Sequence, residues 1–447
     1  MLSRSKTPHQ SNLFFGLAES LNIHHPLYIL ADKIDWKRFE AAFASLFCEG
    51  NGRPAKPIRL MVGLLILKHL RNVSDESVVE QWAENIYYQY LCGEQQFVPG
   101  FPCNASELVH FRKRIGQTGI ALILQESIRI NGDDSNDPNV SVDTTVQEKN
   151  ITFPTDNKLH RKIITKCLKI AAANDLPVRQ SYTRTLKQLA VDQRFRNHPT
   201  TKGKARKADR KVKTIAGRLV REMERNLTPD SRYQSELELF KRVLAQKRSD
   251  VNKIYSLHEP DVQCISKGKE HKKYEFGNKV SVVYTQKTGV IVGAKSFRNE
   301  YDGHTLEPAL EQVLELLGKS PKTATVDRGY RGKVKVGNTI VQIPKPFNNK
   351  KQSKYQQQKL RKAFGRRAAI EPTFGHLKSD HRLSRNYYKG IFGDNINVML
   401  SAAAYNFKRM MNQWSSSFKK LLRYIFAIFN FVANSIIESV MFLKLGF

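Results

Sequence analysis

The feature that most restricts the fold is a long interval between strand patterns. "VSVDTTVQ" (140–147) sets β-branched residues around a central acid, as a strand does. The pattern resumes only at "KKYEFGNKVSVVYTQ" (272–286) and "GVIVGAKSF" (289–297). Between them, residues 155 to about 257 read as helical and strongly basic. A helix, "HTLEPALEQVLELLG" (304–318), and a short strand, "KTATVDRGY" (322–330), follow. The order strand, helical insertion, strand pair, helix, strand, helix predicts an α/β protein with a mixed sheet.

The first ~135 residues read as helical. "KPIRLMVGLLILKHLRN" (56–72) is apolar at helical spacing, and "VSDESVVEQWAENIYYQYLCG" follows, with Ser74 or Asp75 as cap and Gly93 as terminator. The two form either a helix-turn-helix or an ordinary helical hairpin, and the pattern alone does not separate these. "SELVHFRKRIG" (106–116) adds a helix with Arg112, Lys113 and Arg114 expected on its exposed side. Loop composition at "DDSNDPNV" (133–140) suggests a boundary. The expected organisation is a helical N-terminal domain over 1–135, an α/β domain over 136–410 carrying the insertion at about 155–257, and a helical tail over 411–447. Tyr424 to Ile437 is uncharged but only 14 residues long and interrupted by Asn430, Asn434 and Ser435, so a packed or amphipathic helix is expected rather than a membrane span.

With 74 Lys+Arg against 41 Asp+Glu, the formal charge is +33, which points to an anionic partner such as nucleic acid or an anionic membrane face. Between 201 and 221 lie nine Lys/Arg, among them Lys204, Arg206, Lys207, Arg210 and Lys211, against one acid, Asp209. Such a run either contacts phosphates or forms a solvated face. The five cysteines contain no CxxC pair, which fits a reducing compartment without a disulfide framework or zinc knuckle. The first twenty residues lack an apolar core before a cleavage site, so no signal peptide is expected.

Two aspartates share one context. Asp143 sits in "VSVDTT" and Asp327 ends "TATVDRGY", each after apolar strand residues, and strand ends form the ligand crevice of open α/β sheets. Glu371 lies 44 residues beyond Asp327 in "RRAAIEPTFGHLK". Three converging carboxylates can hold two divalent metals for phosphoryl transfer, and Mg²⁺ suits oxygen ligands. Arg367, Glu371, Phe374 and Lys378 fall on roughly one helix face. Spacing alone favours a simple Arg367–Glu371 ion pair. Pro372 implies that the helix begins or kinks near Glu371. His258 and Glu259 are expected in a loop or capping role, and His376 and His381 either touch phosphates or lie on the surface.

"RRAAIEPTFGHLK" resembles the R-(3)-E-(6)-K signature of bacterial insertion-sequence transposases of the DDE class, in the group of families four and five, through Arg367, Glu371 and Lys378. "VDTTV" and "VDRGYRG" resemble the two aspartate motifs of that class, and "YDGHTL" (301–306), "GDNINVMLSAAAYNFKRM" (393–410) and "ELVHFRKRIG" are similar to family five. The likeness runs from about residue 40 to 410. One position departs: Phe364 stands where the family often has tyrosine, which removes a hydroxyl. The resemblance implies a ribonuclease-H-like domain with Asp143, Asp327 and Glu371 as catalytic metal ligands. It implies Mg²⁺ as cofactor, with Mn²⁺ as substitute. It also implies double-stranded DNA as partner, a homodimer or higher assembly on DNA, and a cytoplasmic, nucleoid-associated location. The activity implied is cutting at terminal inverted repeats and joining of 3′-hydroxyl ends to target DNA. The alternatives are a catalytically inactive DNA-binding derivative or a nuclease of the same fold. The N-terminal domain over 1–135 is expected to bind DNA and supply recognition, and the DNA contacts expected are Arg367 and Lys378, the 112–114 cations and the insertion's basic run.

Overall fold

The computed structural model describes residues 16–48, 54–228, 231–247, 249–266, 272–332, 334–343, 353–365 and 370–415. The chain divides into two compact units. One comprises Met1–Gln147, Lys279–Tyr388 and Phe392–Phe447; the other comprises Glu148–Asn278 and Lys389–Ile391.

In the first unit, seven described helices precede the first strand: α1 (Leu17–Ser20), α2 (Pro26–Lys33), α3 (Trp36–Ala44), α4 (Ile58–Leu70), α5 (Asp75–Glu84), α6 (Ile86–Leu91) and α7 (Ala105–Ile130). Helix α4 is apolar on every side, and all its residues except Arg59 are buried. Arg59 donates from Nε to Leu91 O and from Nη2 to Tyr90 O, both at 3.1 Å, satisfying carbonyls at the end of α6. The single helix expected over 73–93 is two, because Asn85 intervenes. Its side chain accepts from Tyr87 N at 3.0 Å and Tyr88 N at 3.2 Å, a new N-cap. Helix α7 is interrupted at Gly116, whose φ of 66° and ψ of −168° is a region only glycine visits readily.

The sheet of this unit is mixed. Its strands are β1 (Asn139–Lys149), β3 (Glu275–Thr285), β4 (Ile291–Phe297), β5 (Thr323–Thr325), β6 (Lys335–Val336), β7 (Thr339–Gln342) and β8 (Arg385–Asn386); β2 (Gln263–Ile265) belongs to the second unit. The order is β4-β3-β1-β5-β7-β6, with β8 beside β1. Strands β1, β5 and β7 are parallel; β3/β4 and β6/β7 are antiparallel. Helices α12 (Asp302–Leu317), α13 (Lys354–Gly365), α14 (Ile370–Asp380) and α15 (390–415) complete the described chain.

Side-chain amides satisfy the backbone of β4 on the side away from β3. Asn406 of α15 accepts from Ile291 N at 2.9 Å and donates to Ile291 O at 2.8 Å. Gln312 accepts from Ala294 N at 2.8 Å and Asn395 from Ser296 N at 2.9 Å. These amides blunt an edge that would otherwise template foreign strands.

The expected boundary near 135 is not a boundary in packing. One apolar cluster runs from Leu64, Leu65 and Trp82 through Ile123 and Leu124 to Val142, Val280, Val292, Leu306 and Phe407. A helix apolar all round, such as α4, needs partners on every side; it packs on α3, α5, α6 and α7, and His69 at its end bonds Asn397 of α15 at 3.2 Å.

The second unit holds α8 (Asp156–Ala173), α9 (Thr183–Asp192), α10 (Lys202–Asn226) and α11 (Gln234–Ala245) around its own core, with Ile163, Ile164, Cys167, Leu219, Met223 and Phe240 at its centre. Strand β2 pairs antiparallel with the start of β3, Ile265 facing Glu275. Glu259 pairs with the buried Lys149 at 3.3 Å and accepts from Gly390 N at 3.1 Å, a structural role. All five cysteines are free thiols. No described helix is long and apolar enough to cross a membrane. The expected tail lies outside the described residues beyond 415.

Candidate active site

The parallel ladder of β1 and β5 leads to the two aspartates. Asn139 faces Thr323, Val140 faces Ala324 and Ser141 faces Thr325. Asp143 and Asp327 each follow two residues after the last pair of this ladder, Ser141 and Thr325. Paired residues of parallel strands project to the same face. Beyond β5 the chain turns at once. Asp327 caps a short 3₁₀ turn, Arg328–Tyr330, and its Oδ1 accepts from Gly329 N at 2.7 Å. Asp143 Oδ1 accepts from Thr144 N at 2.7 Å.

A third acid joins them that sequence reasoning did not select. Asp302 opens α12, within the "YDGHTL" motif. Its Oδ1 accepts from Thr144 Oγ1 and pairs with Lys279 Nζ, both at 3.0 Å. Lys279 is nearly buried and also donates to Glu300 O at 2.5 Å. A Cβ added at Gly329 would stand 2.9 Å from Asp327 Oδ1 and 3.1 Å from Asp302 Oδ2, so glycine keeps open the space between these carboxylates. Tyr330 ends the same 3₁₀ turn and is fully buried. Its hydroxyl is buried beside Thr305, and burial, then the charges of Asp302, Asp143 and Asp327, raise its pKa far above the ordinary phenol value, the Thr305 contact opposing them.

The donor set is all oxygen, which suits a hard divalent cation. The glycine-kept gap between the Asp327 and Asp302 oxygens fits such an occupant. Among the described residues, no three Asp, Glu, His or Cys side chains already stand at coordinating separation. Glu371 is not brought to the aspartates by any hydrogen bond or ion pair. It is exposed in the first turn of α14, which packs through Ile370, Thr373 and Leu377. Pro372 falls in that first turn, where a missing N–H costs little.

Two family comparisons bear on this geometry. Residues 17–114 match a family described as a transposase domain (DUF772), and residues 252–407 match a family described as the transposase DDE domain. The chain belongs to the insertion-sequence DDE transposases. The second match takes in Asp302, Asp327 and Glu371, while Asp143 lies between the two. An uncharacterized protein, ORF8 in the nfe locus of Rhizobium meliloti, is 41% identical over 183 residues, 40% of this chain and 88% of that protein. No solved structure matches the chain.

The basic residues of this transposase fall into two groups. Arg112 is not on the exposed side of α7. It lies on the buried stripe with Leu108, Phe111 and Ile115, and it donates to both oxygens of Asp75 at 2.7 and 2.8 Å. Three consecutive cations cannot share one side of a helix. Lys113 and Arg114 do face outward, Arg114 over the Phe47 ring at 4.7 Å. His381 is buried and bonded to His69 O at 3.1 Å, so it does not face phosphates. His376 is exposed and pairs with Asp380 at 2.8 Å. Helices α4 and α5 form a hairpin unsuited to groove reading, since α4 is buried and α5 turns Glu76, Glu80 and Glu84 outward.

On α10 the division is clean. Ala208, Val212, Ile215, Leu219 and Met223 are buried, while Lys204, Arg206, Lys207, Arg210 and Lys211 are exposed. Lys204 pairs with Asp192 at 3.0 Å. Lys378 is half-buried on α14, and Arg367 lies outside the described residues.

Proposed function

We propose that this transposase binds the terminal inverted repeats of its element, cuts DNA there by metal-assisted hydrolysis and joins the freed 3′-hydroxyls to target DNA. The observation that carries this reading is the parallel register of β1 and β5, whose last pair, Ser141 and Thr325, stands two residues before Asp143 and Asp327. Strand order and the position of these acids support a ribonuclease-H-like catalytic fold. Glu371 is the third member of the set, on a helix of the same unit. Mg²⁺, with Mn²⁺ as substitute, supplies activation of a hydroxyl nucleophile and stabilisation of the leaving oxygen. The aspartates hold their carboxylates at the reacting phosphate's side of the sheet. Lys378 and Arg367 orient the strand through its phosphates. Lys113 and Arg114 on α7 and the α10 cations grip the backbone of duplex DNA. The protein acts as a homodimer or larger assembly on DNA, in the cytoplasm at the nucleoid.

A labelled donor end, a supercoiled target plasmid and Mg²⁺ test the reading. The transposase yields label joined covalently to the plasmid. A nuclease of the same fold would cut without joining, and an inactive derivative would bind without cutting.

A further inference from the structure

Asp302 differs from an ordinary surface carboxylate in how its two oxygens are used. Oδ1 is fixed by Lys279 and Thr144 from two different strands, β3 and β1. Oδ2 has no hydrogen-bond partner among the described residues and faces the gap at Gly329, across which stands Asp327 Oδ1. The side chain is 26% exposed, so solvent and ions reach it. A Cβ at residue 329 would crowd both Asp327 Oδ1 and Asp302 Oδ2, so the glycine keeps the approach to Oδ2 clear.

We propose that Asp302 is a fourth carboxylate of the active site, presenting Oδ2 to the divalent cation held by Asp143 and Asp327 while Lys279 and Thr144 fix its Oδ1. This rests on the metal-dependent reading above. The clamp has a physical use. Three carboxylates gathered in one place repel one another, and a lysine on the outer oxygen of one offsets that repulsion while leaving its inner oxygen free. Metal sites commonly orient their ligands through such outer partners, whose loss weakens metal binding by roughly 10–100-fold.

The test is Mn²⁺ binding to the full-length protein without DNA, followed by calorimetry and by the cation-induced rise in melting temperature. Asp302→Asn keeps the size and an oxygen that accepts from Thr144 and Lys279, but lacks the charge. Its Mn²⁺ dissociation constant should rise about tenfold or more, in the range for lost metal-site partners. Asp143→Asn is the control. If Asp143→Asn weakens Mn²⁺ binding and Asp302→Asn does not, Asp302 is merely the partner of Lys279 and the proposal is overturned. If neither does, the metal-dependent reading itself fails. A second measurement needs no variant. Fe²⁺ with peroxide and ascorbate cuts the backbone next to a bound iron, and the wild-type chain should be cut near 143, 302 and 327. Cuts at 143 and 327 without one at 302 would also overturn the proposal.

Discussion

At the scale of the residue, the clearest energetic commitment is Asp75. Lys68 Nζ approaches it at 2.8 Å and Arg112 grips both its oxygens, with all three side chains largely buried. Burial alone would raise the Asp75 pKa, but the Arg112 hydrogen bonds and the charge of Lys68 hold it below the ordinary carboxylate value. Burial pushes Lys68 the other way, down to about 7. The signs follow from linkage. The Asp75 contribution is present above its unfolded pKa of about 3.9 and is lost as pH falls through the lower folded value. Lys68, with a folded pKa below its unfolded one, makes stability rise as pH climbs from about 7 towards the unfolded lysine value. Asp75→Asn leaves the buried Arg112 cation without its carboxylate and should cost about 3–5 kcal/mol. Urea unfolding at pH 7 measures the loss, and a variant within about 0.5 kcal/mol of wild type, the range of ordinary surface changes, would show the triad to be idle. Arg112 also marks a limit of reading residues from sequence. Its chemistry suggests phosphate, but its position on the Leu108–Phe111–Ile115 stripe assigns it to Asp75. Asp302 was hidden for the opposite reason: its motif "YDGHTL" carried a likeness but no role, and only folding brings Thr144 and Lys279 to it.

Among elements, α7 and α10 carry the testable claims. Gly116 lets α7 change direction midway. Gly116→Ala should lower stability by about 1–3 kcal/mol, the cost of a side chain in that backbone region. An unchanged melting temperature would mean that α7 straightens without penalty. On α10 the cations project away from the core. Changing Lys204, Arg206, Lys207, Arg210 and Lys211 to Gln should leave melting unchanged and flatten the salt dependence of DNA binding, by roughly 0.9 in log–log slope for each phosphate that is no longer neutralised. An unchanged slope would make the run a solvated face. These elements were legible to different degrees. The strands around Asp143 and Asp327 and the helices of the basic stretch stood out by period and composition. The Asn85 break was legible in principle, since asparagine is a preferred cap. That α4 and α5 form a buried, acidic-faced hairpin was not, because helical spacing records a repeat and not the identity of the neighbour.

For the whole molecule, one apolar cluster joins the N-terminal helices to the sheet of the first unit, and the helical insertion keeps a core of its own. Loop composition at 133–140 suggested a boundary that packing does not respect. A composition shift locates a turn in the chain, whereas a domain border depends on packing between residues far apart in sequence. The parallel ladder of β1 and β5 is such a long-range fact, and the active-site reading stands on it. The central claim is that Asp143, Asp327 and Glu371 act together in metal-dependent DNA cutting. The most direct measurement is single-turnover cleavage of one donor-end substrate in Mg²⁺, with DNA binding followed separately, for Glu371→Gln beside Asp143→Asn. Cleavage should vanish in both variants. DNA affinity should stay equal or increase, because each substitution removes a negative charge facing phosphates. Cleavage by Glu371→Gln near the wild-type rate would contradict the account and leave the carboxylate of "RRAAIEPTFGHLK" as a surface charge.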